Sequence, residues 1–187
     1  MDNNSFINLL LPYALKQKVV LPSVLIAQSA LETGFGKHIF HNNYFGIKSN
    51  SKNSSHIAKT YEYINSKKVQ TICRFKAYSS LENSINDYTN LMLNPRYLRV
   101  HLAKDYIEAC NALILCGYAT DPNYSKKLNS IIEKYKLFLW DVSCSNFAIN
   151  PRIFVVENNI SDGTNPKKYS TREEVWTMLY RLYLFMK

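Results

Sequence analysis

Apolar positions crowd most densely between Pro22 and Thr33. At about 100° per residue, Val24, Leu25, Ile26, Ala27, Ala30 and Leu31 spread over most of a helix circumference. Gln28, Ser29, Glu32 and Thr33 are left on one narrow polar strip. Pro22 suits the first turn, and Gly34 and Gly36 suit the stop, so the pattern predicts a central helix of about three turns closing near Thr33. Glu32 then stands at the negative end of that helix beside apolar neighbours, and both effects raise a carboxyl pKa, as a general acid requires. The alternative is a glutamate that turns into solvent at a fraying end.

Before this segment, Ser5 to Gln17 predicts a helix bent or shortened at Pro12. After it, His38 to Ser55 loses periodicity and becomes rich in Asn, Ser and His. Its "HNNYFGIK" run mixes amides and rings, a chemistry that suits sugars as well as a plain bonded loop. From Ile57 to Phe75, two β-branched and aromatic runs flank "NSKK", which predicts a hairpin with Thr60, Glu62 and Ile64 sharing one face. Leu81, Ile85, Tyr88 and Met92 restore the helical period, with Ser79 and Glu82 as a capping box that accounts for Glu82; Asp87 has no such occupation. Further helices are expected over Asp105 to Cys116, stopping at Gly117, and over Ser125 to Leu139.

Composition narrows the setting. The 187 residues, 47% of them hydrophobic, suffice for one globular core and a small appendage. An excess of 23 Lys+Arg over 14 Asp+Glu, formally +9, favours polyanionic surroundings: nucleic acid, anionic lipid or an acidic wall polymer. The lysines are scattered and no arginine-rich tract exists, which disfavours a nucleic-acid arm. Four cysteines, Cys73, Cys110, Cys116 and Cys144, lack CxxC or His spacing, so neither a zinc site nor a disulfide framework is indicated, and no metal or cofactor is expected. No stretch approaches the roughly 20 apolar residues of a membrane span, and the first 17 residues do not read as a secretory signal. The expectation is a product made in the cytoplasm, without a membrane partner.

The motifs "ALETGFGKH", "NNYFGIK", "KTYEY" with "RFKAYSSLENSINDY", "NPRY" and "GYATDPNY" stand in the order and spacing of glycoside hydrolase family 73, the N-acetylglucosaminidases that hydrolyse peptidoglycan. The resemblance covers about residues 5 to 137. It implies a mostly α (α+β) fold, with a lysozyme-like α-lobe and a small β-hairpin lobe over a cleft. It also implies endo-cleavage of the β-1,4 bond after N-acetylglucosamine. Carried over by motif, Glu32 is the proton donor. Glu62 positions water or steadies positive charge, Asp87 is the helix-borne aspartate, and Tyr118 and Tyr124 are the tyrosines of which one lies near the acid. Phe35, where many relatives carry tryptophan, is expected to stack on the glycan, and Asn43, Phe45 and Tyr124 join it in substrate binding, with Tyr118 counted beside Glu32, Glu62 and Asp87 in the catalytic set. Whether a second carboxyl or the sugar's own acetamido group assists is left open, as is retention against inversion.

Beyond Trp140 the character changes. The expected division is a catalytic domain at 1–140, a linker at 141–148 and a small helical module at 149–187. The module comprises a short helix near Arg152 to Asn158 and a second from Arg172, the latter capped by Thr171 and Glu174. "ISDGTNPKKYSTREEVWTMLYRL" resembles one S-layer homology repeat. A single copy with Trp176 exposed would either pack on the catalytic lobe or pair with another chain as a homodimer. The reading is a bacterial wall lysin of phage endolysin or virion type, bound to peptidoglycan and anionic wall polymers. The alternatives are a wall-binding or structural module with little turnover, or a muramidase or lytic transglycosylase.

Overall fold

A computed structural model describes residues 1–64, 67–142, 145–163 and 166–187. The chain forms two compact units, Met1–Leu137 and Phe138–Lys187.

In the first unit, α1 (Asn3–Lys16) is capped by Asp2, whose carboxylate accepts from the Ser5 amide, and it runs through Pro12. The central helix α2 (Pro22–Thr33) begins at its proline and ends where Gly34 turns left-handed, φ 59°. It packs against α1, α5 (Tyr106–Leu115) and α6 (Tyr124–Lys134). Leu25 and Ile26 are fully buried, as are Ser29 and Gln28 on the polar strip. Gln28 faces inward onto Tyr124 and Tyr88, Thr33 bonds back to the Ser29 carbonyl, and of the strip only Glu32 stays exposed.

One antiparallel pair, β1 (Ser55–Ile64) and β2 (Lys67–Lys76), makes the hairpin. Lys67 and Lys68 belong to β2, leaving Asn65 and Ser66 as the connection, outside the described residues. The loop between α2 and β1 is fastened to the hairpin base and to α3 (Leu81–Met92): Lys76 donates its amide to the Ile47 carbonyl, and the Tyr44 amide donates to Ser84 Oγ.

Three boundaries differ from expectation. Ser80 caps α3, accepting from the Asn83 amide, because Ser80 is extended and the helix starts one residue later than a Ser79 cap allows. Glu82 is therefore a surface residue 3.7 Å from Lys16, an exposed pair of little energetic weight. The "NPRY" run forms a 3-10 turn, Pro95–Tyr97, and a one-turn α4 (Leu98–His101), too short for periodicity to signal. The α6 helix stops at Lys134, and Lys136 adopts φ 50°, so Leu137–Trp140 continue as a separate 3-10 turn.

In the second unit, α7 (Ile149–Glu157) and α8 (Arg172–Phe185) flank a loop gathered by Arg152, which donates to the Gly163 carbonyl at 2.6 Å and to the Leu139 carbonyl. The Thr171–Glu174 capping box is present. No helix among the described residues is long and apolar enough to cross a membrane. Cys110 and Cys116 are buried thiols and Cys73 is a half-buried one; Cys144 lies outside the described residues.

Candidate active site

Glu32 is the penultimate residue of α2, and three of the expected residues gather around it. The Tyr124 hydroxyl, at the start of α6, donates to Glu32 Oε1 at 2.8 Å. Tyr118 lies 6.0 Å from Tyr124 between ring centroids and donates to the Phe45 carbonyl at 3.0 Å. Gly46, next to that carbonyl, faces the other carboxylate oxygen: a Cβ there would stand 3.1 Å from Glu32 Oε2, on a backbone of φ +61°. A side chain at 46 would be strained and would crowd the carboxylate, so glycine is what this approach requires.

The tyrosines are kept as donors. Burial foremost, with the Glu32 carboxylate adding to it, pushes the Tyr118 and Tyr124 phenols well above their ordinary range. Both are therefore protonated, and able to donate, near neutral pH.

Two buried groups extend the site behind Tyr124. Gln28 Nε2 donates to the Tyr124 oxygen at 3.2 Å, and Tyr88 donates to Gln28 Oε1. Burial holds the Tyr88 phenol protonated as well. Sequence reasoning missed both residues. The signal for Gln28 was present, since it stands one turn before Glu32 on the same helix face. Tyr88 looked like an ordinary core position.

Three expected substrate contacts have other occupations. Phe35, at φ 57°, packs edge-on against Phe6 and at 5.2 Å from Tyr135. Asn43 is buried, and its amide is spent on the loop, bonding the Ile47 amide and carbonyl and the Lys76 carbonyl. Phe45 is 1% exposed and stacks on Tyr88 at 4.0 Å, leaving its carbonyl as the group nearest the site.

Asp87 is engaged elsewhere. Its Oδ2 accepts from Lys76 Nζ at 2.8 Å and from the Tyr78 hydroxyl at 2.6 Å, which ties the end of β2 to α3. Burial, then the hydrogen bond to Asp87, pushes the Tyr78 phenol far above its usual value. Asp87, Lys76 and Tyr78 line a polar groove of about 470 Å³ with Asn83, Asn86 and Asn90. Glu62 pairs in register with Val69 on β2, and its side chain lies outside the described residues.

Residues 11–137 match the glucosaminidase family described as mannosyl-glycoprotein endo-beta-N-acetylglucosaminidase. The exo-glucosaminidase LytG of Bacillus subtilis is 34% identical over 167 residues, 84% of this chain and 55% of LytG. The peptidoglycan hydrolase FlgJ of Salmonella typhimurium is 35% identical over 140 residues, 70% of this chain and 44% of FlgJ. The chain thus spans about half the length of these relatives. Among solved structures, a peptidoglycan hydrolase mutant from Sphingomonas sp. A1 superposes with a TM-score of 0.65 at 36% identity, covering 71% of this chain and 94% of that one. The catalytic domain of the autolysin Auto from Listeria monocytogenes gives 0.63 at 34%, covering 74% and 87%. With a helical body, one hairpin among the described residues and a family match over most of its length, the chain belongs to the glucosaminidase family, glycoside hydrolase family 73.

Proposed function

We propose that the protein hydrolyses bacterial peptidoglycan at the β-1,4 bond after N-acetylglucosamine, with Glu32 as the general acid. The observation that carries this reading is the pairing of Glu32 Oε1 with Tyr124 at the mouth of the most deeply buried helix. In the reaction, Glu32 gives its proton to the glycosidic oxygen as the C1–O bond breaks. Water then adds to C1, and its proton leaves to a base. The carboxylate left on Glu32 is the form that the Tyr124 donor favours, so this hydrogen bond strengthens as the transition state forms.

For the second step, Glu62 on β1 is our candidate to steady positive charge on the sugar or direct the water. Asp87 is assigned to holding the hairpin to α3 through Lys76 and Tyr78. Glu62→Gln should therefore lower kcat far more than it raises KM, and Asp87→Asn should act through stability. The reverse ranking would move the catalytic role to α3.

Glu32→Gln keeps the side-chain shape and removes the proton. A folded variant should lose at least about 10²-fold in wall hydrolysis. A folded variant that clears walls at the native rate would take the role away from Glu32. Reducing-end analysis of digested peptidoglycan identifies the bond: N-acetylglucosamine at the new ends supports this reading. N-acetylmuramic acid there would mark a muramidase, a reading favoured by a Lactococcus lactis relative named a probable N-acetylmuramidase, 36% identical over 135 residues. The second unit is proposed as a wall anchor, combining the aromatic surface of α8 with the net positive charge of the chain.

A further inference from the structure

Four side chains from three helices form one directed line. Tyr88 on α3 donates to Gln28 Oε1, Gln28 Nε2 donates to the Tyr124 oxygen, and the Tyr124 hydroxyl donates to Glu32 Oε1. Gln28 is fully buried and its amide sits between two phenols. An amide is the one side chain here with a donor end and an acceptor end that cannot exchange without rotation. A phenol can point its proton either way. With Gln28 Nε2 already aimed at the Tyr124 oxygen, the Tyr124 proton cannot turn back, and it must go to Glu32.

We propose that Gln28 is a positioning residue that commits the Tyr124 proton to Glu32 Oε1, and that Tyr88 sets which way the Gln28 amide faces. This rests on the reading of Glu32 as the general acid. Oε1 then acts only as an acceptor, and the proton to be transferred rides on Oε2, the oxygen beside Gly46. If the amide rotated by half a turn, Gln28 Oε1 would accept from Tyr124, and Glu32 would lose its donor at the moment negative charge develops on it. The titratable groups that bear on this line are Tyr88 and Tyr124 themselves, Tyr118 from the turn after α5, and Cys110 and Tyr97 beside Tyr88; burial foremost holds the phenols of Tyr88, Tyr118 and Tyr124 above their ordinary range. Tyr88 is thus a remote residue whose hydroxyl, not its ring, matters to turnover. The ring is held in any case by its stack on Phe45.

Tyr88→Phe removes one atom, keeps that stack and frees the amide to rotate; Gln28→Met interrupts the line at its centre. Both are assayed as the full chain on soluble glycan fragments, with thermal melts alongside. The expected result is a fall of about tenfold in kcat with KM unchanged, the scale of one charge-assisted hydrogen bond. The limb of the pH profile on which the acid loses its proton should move to higher pH, since the carboxylate has lost a donor. Added to Tyr124→Phe, neither change should cost more than Tyr124→Phe alone. Native kcat and an unmoved profile in folded Tyr88→Phe would overturn the proposal. So would losses that multiply with that of Tyr124→Phe, because a purely structural defect does not need Tyr124.

A ¹³C NMR titration of the Glu32 carboxyl separates the relay from the catalytic reading. An upward shift of its midpoint in Tyr88→Phe supports the relay even if Glu32→Gln were active, and an unchanged midpoint defeats it even if Glu32→Gln were inactive. Should Gln28→Met fail to fold, Tyr88→Phe alone decides by the same readouts.

Discussion

Helices α2 and α8 are both rich in apolar residues, yet nine residues of α2 are buried and none of α8 is. What separates them is side-chain size. The α2 sequence interleaves Val24, Leu25 and Ile26 with Ser23, Ala27, Ser29 and Ala30, which let α1, α5 and α6 approach on several sides. The α8 sequence places the bulky Trp176, Leu179, Tyr180 and Tyr183 along one face, each more than half exposed. It is held by its Thr171–Glu174 box and by cations over its rings: Arg172 over Trp176 at 5.4 Å and Lys187 over Tyr183 at 4.5 Å. Apolar content therefore does not foretell burial. The helix built to be enclosed carries the carboxyl proposed to react, and the exposed one carries the surface proposed to adhere to walls.

The contrast can be broken most directly by truncation in each helix. Leu25→Ala should cost about 2–5 kcal/mol in urea unfolding, whereas Leu179→Ala should stay within about 0.5 kcal/mol. Equal losses would mean that α8 is as enclosed as α2. A smaller effect is expected from ending the chain at residue 137. Cleavage of soluble fragments should persist, because Glu32, its partners and the buried core around them precede the cut. Retention on purified walls should fall by at least about tenfold. Salt should weaken retention of the full chain too, as the screening length drops from about 8 Å at physiological strength to about 3 Å at 1 M. Unchanged retention together with a lower melting temperature would turn α8 from an adhesive surface into a structural one.

The smallest effect belongs to an intermediate environment, the half-buried hairpin base. His56 lies 4.7 Å from His41 between ring centroids, and its Nδ1 is buried without a hydrogen-bond partner among the described residues. Burial first, and His41 second, hold His56 below the ordinary histidine range. The fold therefore binds this proton less well than the unfolded chain does. Its contribution to stability is full above about pH 6.5 and declines as pH falls below that value, where the unfolded chain takes the proton up. Melts of His56→Phe should show a shallower decline on acidification, and an identical slope would clear His56 of the effect.

Much of this was legible in the sequence because local signals carried it. Pro22 and the glycines bounded α2, alternation marked the strands, and the family motifs picked out Glu32 and Tyr124. What stayed hidden depends on residues far apart in the chain. Gln28 and Tyr124 are 96 positions apart, and nothing in a helical period says that a buried amide will meet a phenol. Asp87 looked unoccupied because its partners, Lys76 and Tyr78, sit at the end of a strand whose side-chain directions a pattern cannot give. Phe35 looked like a stacking platform, yet its left-handed backbone turns it onto Phe6.

Arg96, in the "NPRY" run, donates to the carbonyls of Cys116 and Gly117 immediately before Tyr118, and a Cβ at residue 117 would collide with its guanidinium. Two motifs that stand about 20 residues apart in the chain are therefore one mechanical part. Anyone transplanting the tyrosine-bearing turn into another scaffold, or exchanging it between homologues to alter specificity, would have to move the arginine and the glycine with it. A lysine at 96 would be a poor substitute, since a single ammonium cannot span both carbonyls as the planar fork does.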